Sequence, residues 1–152
     1  MIEIQNLDSN FKRIDKKFLI SVADAVLSKE KVSKKVDISV VIVDEKEIHR
    51  LNKQYRKKDK PTDVLSFGSI KDFLSIESFV LPEIVICPEE VKKNAEELNV
   101  TFKNELVKVL IHGILHLLDF DHEKNEEDAK EMFLKQDKYL AMFFKDKKVK
   151  VK

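Results

Sequence analysis

The segment IHGILHLLDFDH, residues 111–122, contains His112, His116 and His122, three of the four histidines in a chain of 152 residues. Its apolar positions continue a pattern that starts at Phe102 and runs through Leu106, Val109 and Leu110 to Leu117. That spacing predicts a long, mostly apolar helix at the centre of the fold, with the first two histidines near its end. Residues four apart project from one helical face, so His112 and His116 aim two imidazoles at one point. The third ring must come from beyond the helix, and Asp119-Phe120-Asp121 is a polar-interrupted stretch suited to turning His122 back. Three neutral imidazoles leave one tetrahedral position open and a dication's charge uncancelled, as in a catalytic rather than a structural zinc site. A lone histidine on an apolar helix is usually a hydrogen-bonded core residue. The third one, flanked by Asp119, Asp121 and Glu123, favours a metal site. His49, alone in a charged stretch, reads as solvated.

Working outward, Ile2 to Gln5 reads as a short strand, and Asp15 to Leu27 as a helix with Phe18, Val22 and Val26 on one face. The β-branched run DISVVIVD, residues 37–44, is a buried strand. Asp44 followed by Glu47 matches a capping box, so a helix starts there, turns Ile48, Leu51 and Tyr55 inward and stops before Pro61. Val64–Phe67 and EIVIC, residues 83–87, are further strands, joined by a loop from Gly68 to about Phe79. Pro88 suits the first turn of a helix that ends near Asn99. After the histidines, Glu126 to Phe144 forms a last amphipathic helix carrying Met132, Leu140 and Phe144. The fold class is α/β of the α+β kind: one domain, residues 1–144, with a small mixed four-stranded sheet packed with about five helices. Residues 145–152, with five lysines, form a basic C-terminal tail.

Composition narrows the function. The hydrophobic fraction of 43% is enough for one substantial core, and no run approaches a membrane span. The N-terminus MIEIQNLDSNFKR lacks the apolar stretch of a signal peptide, so a cytoplasmic location is expected. The single cysteine, Cys87, cannot form an internal disulfide and lies in an apolar run, which points to burial. With 29 basic and 28 acidic residues, global charge does not single out nucleic acid. Locally, KQYRKKDK, residues 53–60, holds five basic residues and one acid.

Two separate blocks resemble one family, the YbeY-type zinc-dependent endoribonucleases of ribosomal RNA maturation. LNKQYRKKDKPTDVLSF, residues 51–67, is the first, and HGILHLLDFDH, residues 112–122, is similar to that family's H-G-x-L-H-L-x-G-Y-D-H. LPEIVIC, residues 81–87, resembles its L-G-D-I-x-I strand. Asp119 stands where the family has glycine, Phe120 replaces tyrosine, and Pro82-Glu83 replaces Gly-Asp. An aspartate at the turn is among the better non-glycine choices for left-handed geometry. The histidine spacing also resembles the H-E-x-x-H-x-x-G-x-x-H helix of metzincin peptidases, but Gly113 takes the place of the glutamate that such chemistry needs.

The resemblance implies a single-strand-specific endoribonuclease of late 16S ribosomal RNA maturation at the 3′ end and of ribosome quality control. Its partners would be ribosomal RNA and the small ribosomal subunit, with the protein acting as a monomer. The alternatives are a metzincin-like zinc peptidase and a non-catalytic, zinc-stabilised ribosome assembly factor. One zinc ion per chain is expected on His112, His116 and His122, where it would bring the pKa of water from ~15.7 toward ~7. Arg56 and His112 are the candidate catalytic residues, because the Arg56 guanidinium can grip phosphate oxygens bidentately. Lys57, Lys58 and Lys60 join Arg56 as candidate contacts to the RNA backbone. Asp121 and Asp63 are candidates for orienting the ligands from behind, although Asp63 can equally cap its turn. Gly113 costs about 1 kcal/mol against alanine inside a helix. It points either to close approach of a substrate or backbone or to tight helix packing.

Overall fold

A computed structural model describes residues 1–75 and 80–144. The basic tail and the end of the expected loop, residues 76–79, lie outside them. In chain order the elements are β1 (Ile2–Asn6), α1 (Lys16–Lys29), β2 (Ile38–Ile42), α2 (Glu45–Arg56), β3 (Val64–Phe67), α3 (Ile70–Leu74), β4 (Glu83–Ile86), α4 (Pro88–Leu98), α5 (Phe102–Leu117) and α6 (Glu126–Phe143). The sheet order is β1-β2-β4-β3. The first three neighbours run parallel, with Ile4 beside Val40 and Val40 beside Ile84, and β3 closes one edge antiparallel. This is the mixed four-stranded sheet that the sequence predicts.

Alternation along the strands divides the core in two. Ile38, Val40, Ile42, Ile84 and Ile86 face a large cluster built with α1 and α5. Val85 and Cys87 point the other way, onto Ile48 of α2 and Leu65 of β3. Helix α5 runs through the larger cluster, with Leu110, Ile111, Leu115 and Leu117 fully buried. Burial also pushes the Cys87 thiol up to about 12, so it packs as an apolar side chain rather than a nucleophile. No helix among the described residues is long and apolar enough to cross a membrane.

Helix starts follow the capping residues in the sequence. Asp15, Asp44, Ser69, Thr101 and Asn125 each accept a hydrogen bond from a backbone N–H in the first turn, and Pro88 opens α4. Three expectations need correction. The stretch after Gly68 contains the short helix α3, capped by Ser69, so the described residues include six helices. Tyr55 is 56% exposed rather than turned inward, with its ring edge-on to Phe67 at 5.4 Å. His49 is not merely solvated: its Nε2 lies 2.7 Å from Asp59 Oδ1, tying α2 to the basic loop that follows it.

Gly113 is explained by packing. A Cβ there would lie 3.0 Å from Ile84 Cγ2, and the Gly113 carbonyl accepts a bond from Ser66 Oγ at 3.1 Å. Helix α5 therefore crosses the sheet closely at the level of His112, which fixes the height of the first histidine above β3 and β4.

Candidate active site

Helix α5 ends so as to return the chain. Phe120 N–H donates to the Leu115 carbonyl and Asp119 N–H to that of His116, the paired bonds of a Schellman motif. Such a motif needs a left-handed residue, and Asp119 supplies it at φ 71°. Its carboxylate is steadied by Ser69 Oγ at 3.2 Å. Phe120 then packs onto the core, and the chain reverses to bring His122 beside the helix.

The three rings converge. Their centroids are 4.6 Å (His112–His116), 5.1 Å (His112–His122) and 5.0 Å (His116–His122) apart. His112 Nε2 and His116 Nε2 are 3.1 Å apart, near the ~3.3 Å expected of two nitrogens bound at about 2.0–2.1 Å to one tetrahedral ion. One nitrogen from each ring falls within 4.8 Å of the others, and no other described histidine, cysteine or acidic side chains form such a group. His122 Nδ1 is buried without a hydrogen-bond partner among the described residues. Donors left facing each other, with a buried nitrogen unmatched, fit a site made to hold a cation.

Electrostatics keeps His112 and His116 in the form that could bind metal. Burial, then the proximity of His112 and His122, lowers the pKa of His116 to about 4. Burial also lowers that of His112, against the opposing pull of its bond to Gln136. Both rings are therefore neutral at neutral pH, with lone pairs available.

A cavity of about 380 Å³ opens over the cluster, and His112, His116 and His122 share its walls with Arg56, Lys58 and Lys60. Arg56 closes α2, and its Nη2 stands 3.7 Å from Glu123 Oε1, a loose pair across the mouth. Lys57 is not in the cavity wall. It terminates α2 in left-handed geometry, and its Nζ reaches back toward the Gln54 carbonyl at 3.5 Å. Asp63 lines the cavity, but its carboxylate accepts from Asn94 Nδ2 at 3.1 Å and reaches His112 only through its charge. Asp121 Oδ1 accepts the Glu123 N–H at 2.8 Å, stabilising the ligand loop, and its charge acts on His116.

Two residues that sequence reasoning missed hold the site together. Gln136 Oε1 lies 2.7 Å from His112 Nδ1, so this amide, and neither aspartate, receives the ring's N–H and leaves Nε2 unprotonated. Asn52 Nδ2 donates to the Lys60 carbonyl at 2.9 Å, while its own carbonyl receives the N–H of Lys57, clasping the basic loop. Both amides are buried. The available signal was a polar residue on the inward stripe of a helix, Asn52 after Ile48 and Gln136 between Met132 and Tyr139.

The family model described as Endoribonuclease YbeY matches residues 2–143. The chain belongs to the YbeY endoribonuclease family. A YbeY endoribonuclease of Sulfurihydrogenibium sp. (strain YO3AOP1) is 44% identical over 127 residues, covering 84% of this chain and 82% of that one. Another, from Persephonella marina (strain DSM 14350 / EX-H1), is 39% identical over 132 residues, covering 87% and 86%. A solution structure of a Thermotoga maritima protein superposes with a TM-score of 0.62 at 37% identity, covering 99% of this chain and 94% of that one. Membership supports an endoribonuclease role, and so an RNA substrate, for the chain.

Proposed function

We propose that the protein is a single-strand-specific, zinc-dependent endoribonuclease of late 16S ribosomal RNA maturation at the 3′ end and of ribosome quality control. It acts on RNA of the small ribosomal subunit as a cytoplasmic monomer. Residues 1–144 form the active unit, and the basic tail 145–152 adds only diffuse attraction. The observation that carries this reading is the convergence of three imidazoles beneath a cavity walled by Arg56, Lys58 and Lys60.

His112, His116 and His122 would hold the zinc ion, which supplies Lewis acidity toward a phosphoryl oxygen and lowers the pKa of water. Arg56 grips the non-bridging oxygens of the scissile phosphodiester and stabilises the charge that grows on them. Its partner Glu123, 3.7 Å away, is displaced by the incoming phosphate. Lys58 and Lys60 follow the flanking phosphates from the loop that Asn52 holds, and Lys57 contributes from the rim. Gln136 keeps His112 in one tautomer, while the charges of Asp63 and Asp121 favour a cation on the imidazoles. A peptidase of the metzincin kind lacks the glutamate it needs directly after the first histidine, since Gly113 follows His112 and Ile84 fills the space a side chain would need.

Metal analysis of purified protein paired with RNA cleavage tests the assignment. His116→Ala should lose zinc and cleavage together. Arg56→Ala should keep zinc and lose cleavage by about 100-fold or more. Full cleavage by the zinc-free His116 variant would end the proposal. Cleavage of casein with RNA left intact would make the protein a peptidase. An assembly factor would show small-subunit binding and no RNA cleavage by the zinc-loaded native protein.

A further inference from the structure

The metal cluster has a second opening. Behind His112 lies a cavity of about 390 Å³ to which Asp63, Val64 and His112 also contribute, so the two spaces meet at the first ligand. Their chemistry differs. The first is walled by Arg56, Lys58 and Lys60. In the second, the one lysine among the described residues, Lys108, is paired with Glu105 at 3.0 Å, and Glu97 adds a further negative charge. A phosphate placed there would meet a net acidic wall.

Apolar surface marks this second space instead. Phe133 of α6 and Leu98 of α4 stay 42% and 53% exposed, and both line it. Phe133 lies near-parallel to the His112 ring, 23° at 6.3 Å, and 5.7 Å from that of His122. A solvent-facing aromatic ring set beside a phosphate-binding centre, in a recess whose described lining has no spare positive charge, matches how proteins hold unpaired bases.

We infer that this recess is a nucleobase subsite, in which Phe133 stacks an unpaired base of the RNA next to the phosphate held over the histidines, with Leu98 completing the slot. The inference rests on the endoribonuclease reading and adds to it where the base beside the cut is held. It also explains a demand for single strands, because a paired base cannot swing into the slot.

The test uses the zinc-loaded full chain and short unstructured RNAs that carry 2-aminopurine, or an abasic sugar, at one position at a time. Binding is read by stopped flow before cleavage. One position should show quenched 2-aminopurine fluorescence, and an abasic sugar there should weaken binding by about 5- to 100-fold. Phe133→Leu should remove the quench and cause a similar loss with intact RNA. It should show no further loss with the abasic RNA and should retain its zinc. Phe133→Tyr should restore the quench. RNA binding in which Phe133→Leu and the abasic sugar act independently, or have no effect, would overturn the subsite and leave the endoribonuclease reading standing. Loss of zinc from Phe133→Leu would make Phe133 a prop for the ligands and also overturn it. A native protein that binds no RNA would defeat both.

Discussion

Helix α6 reaches two half-buried polar groups, sending Gln136 to His112 and Lys135 with Tyr139 to Glu30 at the end of α1. The Glu30 cluster is complete: Lys135 Nζ is 2.6 Å from Oε2, and the Tyr139 hydroxyl donates to the same oxygen. Burial works against the Glu30 charge, yet these bonds together hold its pKa below the ordinary 4.5. The tyrosine responds in kind, as burial and then the neighbouring carboxylate push its pKa up to about 12. The histidine cluster is satisfied on one side only. Gln136 binds the back of His112, while the Nε2 atoms of His112 and His116 face each other at 3.1 Å and His122 Nδ1 has no partner among the described residues. The contrast separates polar groups that serve the fold from those that await a ligand: the first are closed by their own chain.

The largest effect that sharpens this contrast is expected from His116→Ala, which should weaken zinc binding by at least about 1,000-fold, read by competition with a chromogenic chelator. Glu30→Gln should leave zinc affinity unchanged. Gln136→Leu comes next, with a loss of about 10- to 100-fold in metal affinity and a changed visible spectrum in the cobalt-substituted protein. An unaltered spectrum would show that the amide does not orient His112.

Stability should respond in the opposite sense. Glu30→Gln should cost about 1–2 kcal/mol in urea unfolding at pH 7, by removing a charged acceptor from two donors. Because the folded pKa of Glu30 lies below the ordinary one, its contribution is complete above pH 4.5 and is lost as pH falls through the folded value. The difference between variant and wild type should therefore vanish in acid. The metal-free histidine cluster titrates elsewhere. His116 ionises near 4 when folded against 6.5 ordinarily, so only the unfolded chain takes up its proton between those values. Metal-free protein should lose stability as pH drops from 6.5 toward 4, and His116→Ala should flatten that slope.

The smallest expected effect lies at the turn just after Glu30. Lys31 holds a left-handed φ of 59° there. Lys31→Gly should relieve that strain, give back some unfolded freedom, and so raise stability by less than ~1 kcal/mol in the same assay.

Much of this was legible in the residues. The strand run 37–44, the aspartate at 44 and the proline at 88 set element type and start, because β-branching, capping and a missing N–H act locally. The histidine spacing likewise anticipated the convergence of the three rings, and the family blocks pointed to Arg56, which lines the same cavity. Helix α3 escaped because one turn leaves too little periodicity to see beside Gly68. Gln136 escaped because its role depends on a ring twenty-four positions earlier, a distance that only tertiary packing closes. Tyr55 was assigned inward because the helical stripe continues through it, but the sheet edge at Phe67 ends before it can cover the ring.

All three imidazoles lie within eleven residues of one another, whereas Arg56, Asn52 and Gln136 join them from distant parts of the chain. Capturing an ion thus requires closing only a short loop, which costs little entropy even in a nascent or partly unfolded polypeptide. Reactive geometry requires the assembled domain. Under the proposed function, an incompletely folded chain holds its metal before Arg56, Asn52 and Gln136 are packed around it, and loading is thereby uncoupled from activation.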